Sequence, residues 1–282
     1  MYLWRRQASE TWWRDNAEEL RTVAGDRLAI IEQAGRRRLQ FEVVSSSRVG
    51  LLNLAKQFGG RVEKLPRDWL KRFSRGQKTE PVRIGKRLIV LRPQKDREAS
   101  SFPYNLIIPL GAAFGTGEHA TTAMSLRMLE KLTRRWRPGW SIIDLGTGSG
   151  ILTLAACLLG ARRVIGIDND PVAISTAKGN ARLNRIRAVQ FRVSDVRRWR
   201  SPSKSFLRRS GYGDRVDIII ANLFSELLIE ILPKLKVARW MILSGILRNQ
   251  ESDVTHALMR HKIEILQVRR RGKWVAILTA VR

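Results

Sequence analysis

The stretch Ile142-Ile143-Asp144-Leu145-Gly146-Thr147-Gly148-Ser149-Gly150 decides the fold. A short apolar run, residues 141–145, reads as a strand. A spacing of D-x-G-x-G-x-G follows it, and then an apolar stretch of helical character over residues 151–160. A pyrophosphate-binding turn would need G-x-G-x-x-G, so that the diphosphate sits on the helix N-terminus. Gly146, Gly148 and Gly150 instead give a turn with no Cβ in the way, able to lie flat against an uncharged ligand. Asp144, at the strand end, supplies a carboxylate for a cationic amino group. The combination suits an amino-acid-bearing nucleoside better than a diphosphate.

Reading outward, strands and helices alternate. Strands are expected over residues 164–168, 189–193, 216–221 and 240–243, with helices over 171–184, 225–235 and 249–260. Repeated βα units with apolar strands define an α/β fold whose parallel sheet is covered on both faces. Residues 263–268 and 274–281 read as a closing antiparallel hairpin. The second strand ends at Asp168, eighteen residues beyond Gly150, where a carboxylate accepts the two hydroxyls of a ribose. The third ends in Ser194-Asp195-Val196, which puts Asp195 within reach of an adenine amino group, unless it caps the next turn. Upstream, residues 106–110 read as a strand, residues 111–117 as a small-residue loop, and Thr121 or Thr122 as the cap of a helix running to Leu132.

The first part of the chain has a different texture. Residues 1–20 read as a Trp-rich helix, residues 27–32 and 38–46 as strands, 49–58 as a helix stopped by Gly59-Gly60, and 61–65 as a strand. This is a small α+β domain over residues 1–66. Residues 67–104 form a connection, with a helix over 67–73, a polar linker over 74–80 and a strand over 81–91. The nucleotide-type domain covers residues 105–282.

The chain has 282 residues, with 53 Lys and Arg against 25 Asp and Glu, a net charge of +28. With 44% hydrophobic residues it has the material for packed cores. A single Cys excludes an internal disulfide framework, and three scattered His give no metal-ligand cluster. No apolar run approaches the roughly 20 residues of a membrane span, and the N-terminus lacks a signal-peptide core, so a cytoplasmic location is expected. The charge has two readings, a surface for nucleic acid or the ribosome, or an arginine-rich bias spread over a solvated surface.

The glycine strand with acids ending the next two strands, closed by a reversed hairpin, resembles a Rossmann-like S-adenosylmethionine-dependent methyltransferase. Two strings narrow the resemblance. Gly111-Ala112-Ala113-Phe114-Gly115-Thr116-Gly117-Glu118-His119-Ala120-Thr121-Thr122 and Ala221-Asn222-Leu223-Phe224-Ser225-Glu226-Leu227-Leu228 resemble the PrmA family, the lysine methyltransferases of large-subunit ribosomal protein eleven. Leu243-Ser244-Gly245-Ile246-Leu247 matches a third family string. The resemblance implies S-adenosyl-L-methionine as cofactor, with Thr122, Gly146, Asp168 and Asn222 touching it. It also implies that Phe114, Thr116 and His119 belong to a loop over it, that the first domain recognises the substrate, and that the substrate is a ribosomal protein, with no metal and no membrane involved. A local hydrogen bond is the favoured role for His119. Asn222 is the candidate catalytic residue, its side-chain oxygen holding an amine N–H. Adenine and glutamine methylases typically carry N-P-P-Y here; Asn222-Leu223-Phe224-Ser225 lacks both prolines and the tyrosine, which favours a flexible alkyl amine. Another protein amine, a small amine, RNA, or a non-catalytic ribosome- or RNA-binding role remain open at this stage, as does a contact with rRNA through the basic surface.

Overall fold

The computed structural model describes residues 1–25, 28–32, 38–45, 47–66, 81–92, 101–109, 117–200 and 215–281. The chain divides into two compact units, Met1–Gly76 and Gln77–Arg282.

In the first unit four strands form an antiparallel sheet of order β2-β3-β1-β4, namely β1 (Tyr2–Ala8), β2 (Leu28–Glu32), β3 (Leu39–Ser45) and β4 (Arg61–Lys64). Two helices, α1 (Glu10–Ala24) and α2 (Arg48–Phe58), complete it. The helix expected over residues 1–20 is therefore a strand followed by a helix. The reason is non-local: β1 pairs along its whole length with β3, from Tyr2 opposite Ser45 to Ala8 opposite Leu39, and also with β4. Ser9 then starts α1, its hydroxyl accepting the Trp12 N–H at 3.1 Å. Trp4 is fully buried and donates its indole N–H to the Gly59 carbonyl, while Trp12 and Trp13 lie against Phe41 at 5.3 and 5.2 Å. The Trp residues thus make this small core, from both a strand and a helix.

The second unit opens with a three-stranded sheet of order β5-β6-β7, from β5 (Val82–Ile84), β6 (Leu88–Leu91) and β7 (Tyr104–Ile107). The single strand expected over 81–91 is a hairpin. Its turn is held from outside, because Arg87 donates to the buried Glu130 carboxylate at 3.1 Å and to the Glu130 carbonyl at 2.8 Å. The helix and linker expected over 67–80 lie outside the described residues. Helix α3 (Ala120–Leu132) follows, and it carries Glu130.

The main sheet has seven strands in the order β10-β9-β8-β11-β12-β14-β13. They are β8 (Ser141–Leu145), β9 (Arg163–Asp168), β10 (Gln190–Val193), β11 (Val216–Asn222), β12 (Ala238–Leu247), β13 (Glu264–Arg271) and β14 (Trp274–Ala280). The first five in that order are parallel, and β14 runs antiparallel between β12 and β13. Helices α4 (Ile151–Leu158), α5 (Pro171–Leu183), α6 (Ser225–Leu235) and α7 (Glu251–Arg260) connect the strands. Alternate residues of β8 and β11 point to different cores: Ile142, Ile218 and Ile220 join one cluster, Ile143, Leu145 and Ile219 the other. The sheet is thus buried on both faces, as its unbroken apolar strands require. Among the described residues no helix is long and apolar enough to cross a membrane.

Candidate active site

The chain runs from β8 outward to β9 and β10, then returns to β11 on the other side of β8. Open α/β sheets bind ligands at such a reversal, outside the carboxyl ends of the strands. Asp144, Asp168 and Asn222 stand at the carboxyl ends of β8, β9 and β11, and Asp195 follows the end of β10.

The glycine turn is bonded on several sides. The N–H groups of Gly146 and Thr147 donate to the Ile167 carbonyl at 2.8 and 2.9 Å, and Gly148 N–H donates to Asp168 Oδ2 at 2.8 Å. Asn180 of α5 donates to the Ser149 carbonyl at 2.8 Å. All three glycines have positive φ (75°, 54° and 79°). At Gly146 there is a second demand. A Cβ there would lie 2.5 Å from Leu223 Cδ2, because the residue after Asn222 packs onto the turn. The same Leu223 presses its backbone on Gly245 (φ 84°), beside a bulge in β12 between Ser244 and Ile246.

Asp144 is turned inward. It is completely buried, and Oδ2 accepts from Thr147 and Thr153 at 2.7 and 2.5 Å. Burial pushes its carboxyl up to about 6, against the lowering effect of the two hydroxyls, with the Asp168 charge adding to the rise. The residue read in the sequence as meeting an amino group thus first staples the turn to α4. Its other oxygen, Oδ1, is buried without a hydrogen-bond partner, and Thr122 Oγ1 in the first turn of α3 is in the same condition. Buried polar atoms of this kind call for a partner.

Asp168 spreads its oxygens over two backbone donors, Gly148 N–H and Asp170 N–H (3.0 Å), and stays partly exposed with lone pairs to spare. Asp195 accepts from Arg197 N–H at 2.8 Å, so it does cap the turn after β10. Asn222 is partly exposed, and Phe224, at the start of α6, is 73% exposed rather than packed. Neither Thr121 nor Thr122 caps α3. His119 occupies the cap position without a side-chain bond to the helix amides, and its Nδ1 shares a 2.7 Å hydrogen bond with Thr121 Oγ1. The His119 ring also packs edge-on to Trp274 at 5.1 Å. Burial, then the Lys273 charge, holds this imidazole below its usual value. Phe114 and Thr116 lie outside the described residues.

Thr147, Leu223 and Gly245 stand in the quoted strings with no role assigned to them, and Thr153 stands in none. Thr153 had a faint signature, a lone hydroxyl in the apolar segment Ile151–Leu158. Leu223 had none, since its role depends on two glycines far away in the chain.

A parallel sheet with an inserted antiparallel strand at one end, a glycine turn after β8 and acids ending the neighbouring strands is the fold of the Rossmann-like methyltransferases. The sequence family "Ribosomal protein L11 methyltransferase (PrmA)" matches residues 42–282, and the chain belongs to it. Ribosomal protein L11 methyltransferases from Heliobacterium modesticaldum and Symbiobacterium thermophilum are 34% and 37% identical to it, over 71% and 70% of this chain. These matches span 60% and 61% of the relatives' own lengths. The crystal structure of a ribosomal protein L11 methylase from Lactobacillus delbrueckii subsp. bulgaricus superposes with a TM-score of 0.59 at 26% identity. It covers 72% of this chain and all of that one. S-adenosyl-L-methionine fits the residues present: a turn without Cβ atoms, a half-free ribose-type carboxylate at Asp168, and unpartnered buried oxygens on Asp144 and Thr122.

Proposed function

We propose that this chain is an S-adenosylmethionine-dependent protein-lysine N-methyltransferase whose substrate is ribosomal protein L11. The observation that carries the reading is the convergence of Asp144, Asp168, Asp195 and Asn222 on one edge of the sheet, around a turn that leaves an acidic oxygen unpartnered. Family membership supports the substrate.

In this reading Asp168 holds the ribose hydroxyls, Asp195 the adenine amino group, Asp144 Oδ1 the ammonium and Thr122 the carboxylate of the methionine moiety. When bound, the cofactor supplies a methyl group already activated on a sulfonium. The protein's task is therefore positioning and water exclusion. A lysine amine has an ordinary pKa near 10.4 and must lose a proton before it attacks. Desolvation beside a cationic centre lowers that value. The Asn222 side-chain oxygen accepts one amine N–H and aims the lone pair. Leu223, wedged against Gly146 and Gly245, fixes where Asn222 stands. The exposed Phe224 ring offers the alkyl chain of lysine an apolar wall. The first unit docks the rest of the protein substrate. Ribosomal proteins are made in the cytoplasm, which sets the location.

The test is transfer of labelled methyl from S-adenosylmethionine to purified L11, with mass spectrometry to locate the modified lysines. Methylated lysine with wild-type enzyme and none with Asp168→Ala is expected. Equal incorporation by the two proteins would sink the site assignment, and labelling of an added RNA but not of L11 would sink the substrate.

A further inference from the structure

The other edge of the seven-stranded sheet has a character of its own. The turns that lead from the helices back into the strands, residues 133–140, 159–162, 184–189, 236–237 and 261–263, contain eight Lys and Arg and no Asp or Glu. Arg135 and Arg137 precede β8, Arg162 precedes β9, and Arg185 and Arg187 precede β10; all five are exposed. Lys236 and Lys262, also exposed, precede β12 and β13. Because the strands lie side by side, these cations form one row, roughly 29 Å long at about 4.8 Å per strand. Among the described residues, Glu130 at the end of α3 is paired with Arg134 at 2.8 Å, and two further acids begin β11 and β13. Asp217 is already engaged by Ser141 N–H at 2.8 Å and by Arg239 at 3.9 Å, and Glu264 stands at the far end. The helix macrodipole favours a cation beside the last turn of each helix. It gives no reason for bases to continue outward to Arg137 and Arg187, or for these five described turns to hold no acid.

Aromatic rings interrupt the row. Trp136 and Trp240, both half-buried, pack at 4.7 Å. Trp240 lines a hollow of about 470 Å³ with Arg215, Arg239, Ala280 and Val281. A row of exposed guanidiniums beside a hollow walled by an indole is the recognition chemistry of unpaired RNA, phosphates on the cations and a base on the ring. An anionic lipid headgroup would satisfy the charge but has no ring for the hollow. We infer that this amino edge is a docking surface for single-stranded RNA, on the side of the sheet away from the carboxyl-edge site. The inference stands apart from the methyl-transfer reading, since none of these residues belongs to that site.

The experiment is fluorescence anisotropy with a labelled single-stranded RNA over a range of salt concentrations. It compares the wild-type chain with a variant carrying Arg135→Gln, Arg137→Gln, Arg162→Gln and Lys236→Gln. A control variant carries Arg38→Gln, Arg48→Gln, Lys56→Gln and Lys64→Gln, exposed bases of the first unit. The amino-edge variant is expected to lose about tenfold or more in affinity. Its log–log salt slope should become shallower by up to about three, at about 0.7 per charge removed. The control should lose much less. An unchanged affinity, an equal loss in both variants, or binding to phosphatidylglycerol vesicles that RNA does not compete away would overturn the inference.

Discussion

At the carboxyl ends of β8 and β9 the backbone folds around carboxylates that are buried or bonded to it, whereas the turns entering the same strands from the other side are crowded with exposed guanidiniums. One sheet thus presents two chemistries. At the carboxyl edge position matters: each acid has assigned partners, glycines admit close approach, and one oxygen is held in reserve. At the amino edge number matters, because cations facing solvent act through their summed field. The difference predicts that substitutions on the first edge act individually and steeply, and those on the second only in groups.

The largest expected effect is Asp168→Ala. It removes the acceptor for two hydroxyls and the anchor of Gly148. At about 1.5–3 kcal/mol for each charged hydrogen bond, cofactor affinity should drop by at least about a hundredfold in a calorimetric titration. A drop under about threefold would break the contrast between the edges.

Asp144 comes next, through pH. Its folded value, about 6, lies above the ordinary aspartate value near 3.9. The folded state therefore binds more protons than the unfolded one between those limits, and stability falls as pH rises through that window, by about 3 kcal/mol, then levels off. Asp144→Asn should flatten this profile in denaturant melts taken from pH about 4 to about 7. In wild type, cofactor affinity should climb as pH rises through about 6 and the carboxyl ionises to face an ammonium. A pH-independent affinity would remove Asp144 from the binding role.

Gly245→Ala should cost about 2 kcal/mol, since alanine at a φ of 84° is strained and its Cβ meets the Leu223 backbone. Thermal unfolding measures this, and a comparison of kcat with cofactor Kd shows whether Asn222 moves with it. The smallest effect belongs to the four amino-edge replacements together. They should leave methyl transfer within about twofold and shift stability by no more than about 0.5 kcal/mol per replacement, as exposed substitutions do. A large loss of activity there would tie the two edges to one function.

The sequence was readable where a few neighbouring residues settle the geometry. D-x-G-x-G-x-G announces strand, turn and helix within ten residues, and Asp168 and Asn222 follow at strand ends that their apolar runs mark. It was not readable where the deciding partner is distant. Tyr2–Ala8 shows no clean alternation, and only pairing with Leu39–Ser45 and Arg61–Lys64 makes it a strand. The β5–β6 turn depends on Glu130, more than forty residues ahead. Asp144 turns inward because Thr153 waits on α4, and His119 displaces the threonines as the cap because the helix starts one residue before them. The charge was visible at once, but its arrangement needed the strand order, which brings separate turns into one row.

The inserted strand β14 also sets a schedule. On the ribosome, α7 and β13 emerge before β14, yet β13 joins the sheet through β14 alone. Until Trp274–Ala280 is out of the exit tunnel, β12 presents an open hydrogen-bonding edge and β13 has no strand to pair with. The sheet is therefore finished late, by a segment synthesised after its neighbours on both sides. A nascent chain stalled short of β14 should be open to proteolysis across β12 and β13 while β8 and β9 are already protected.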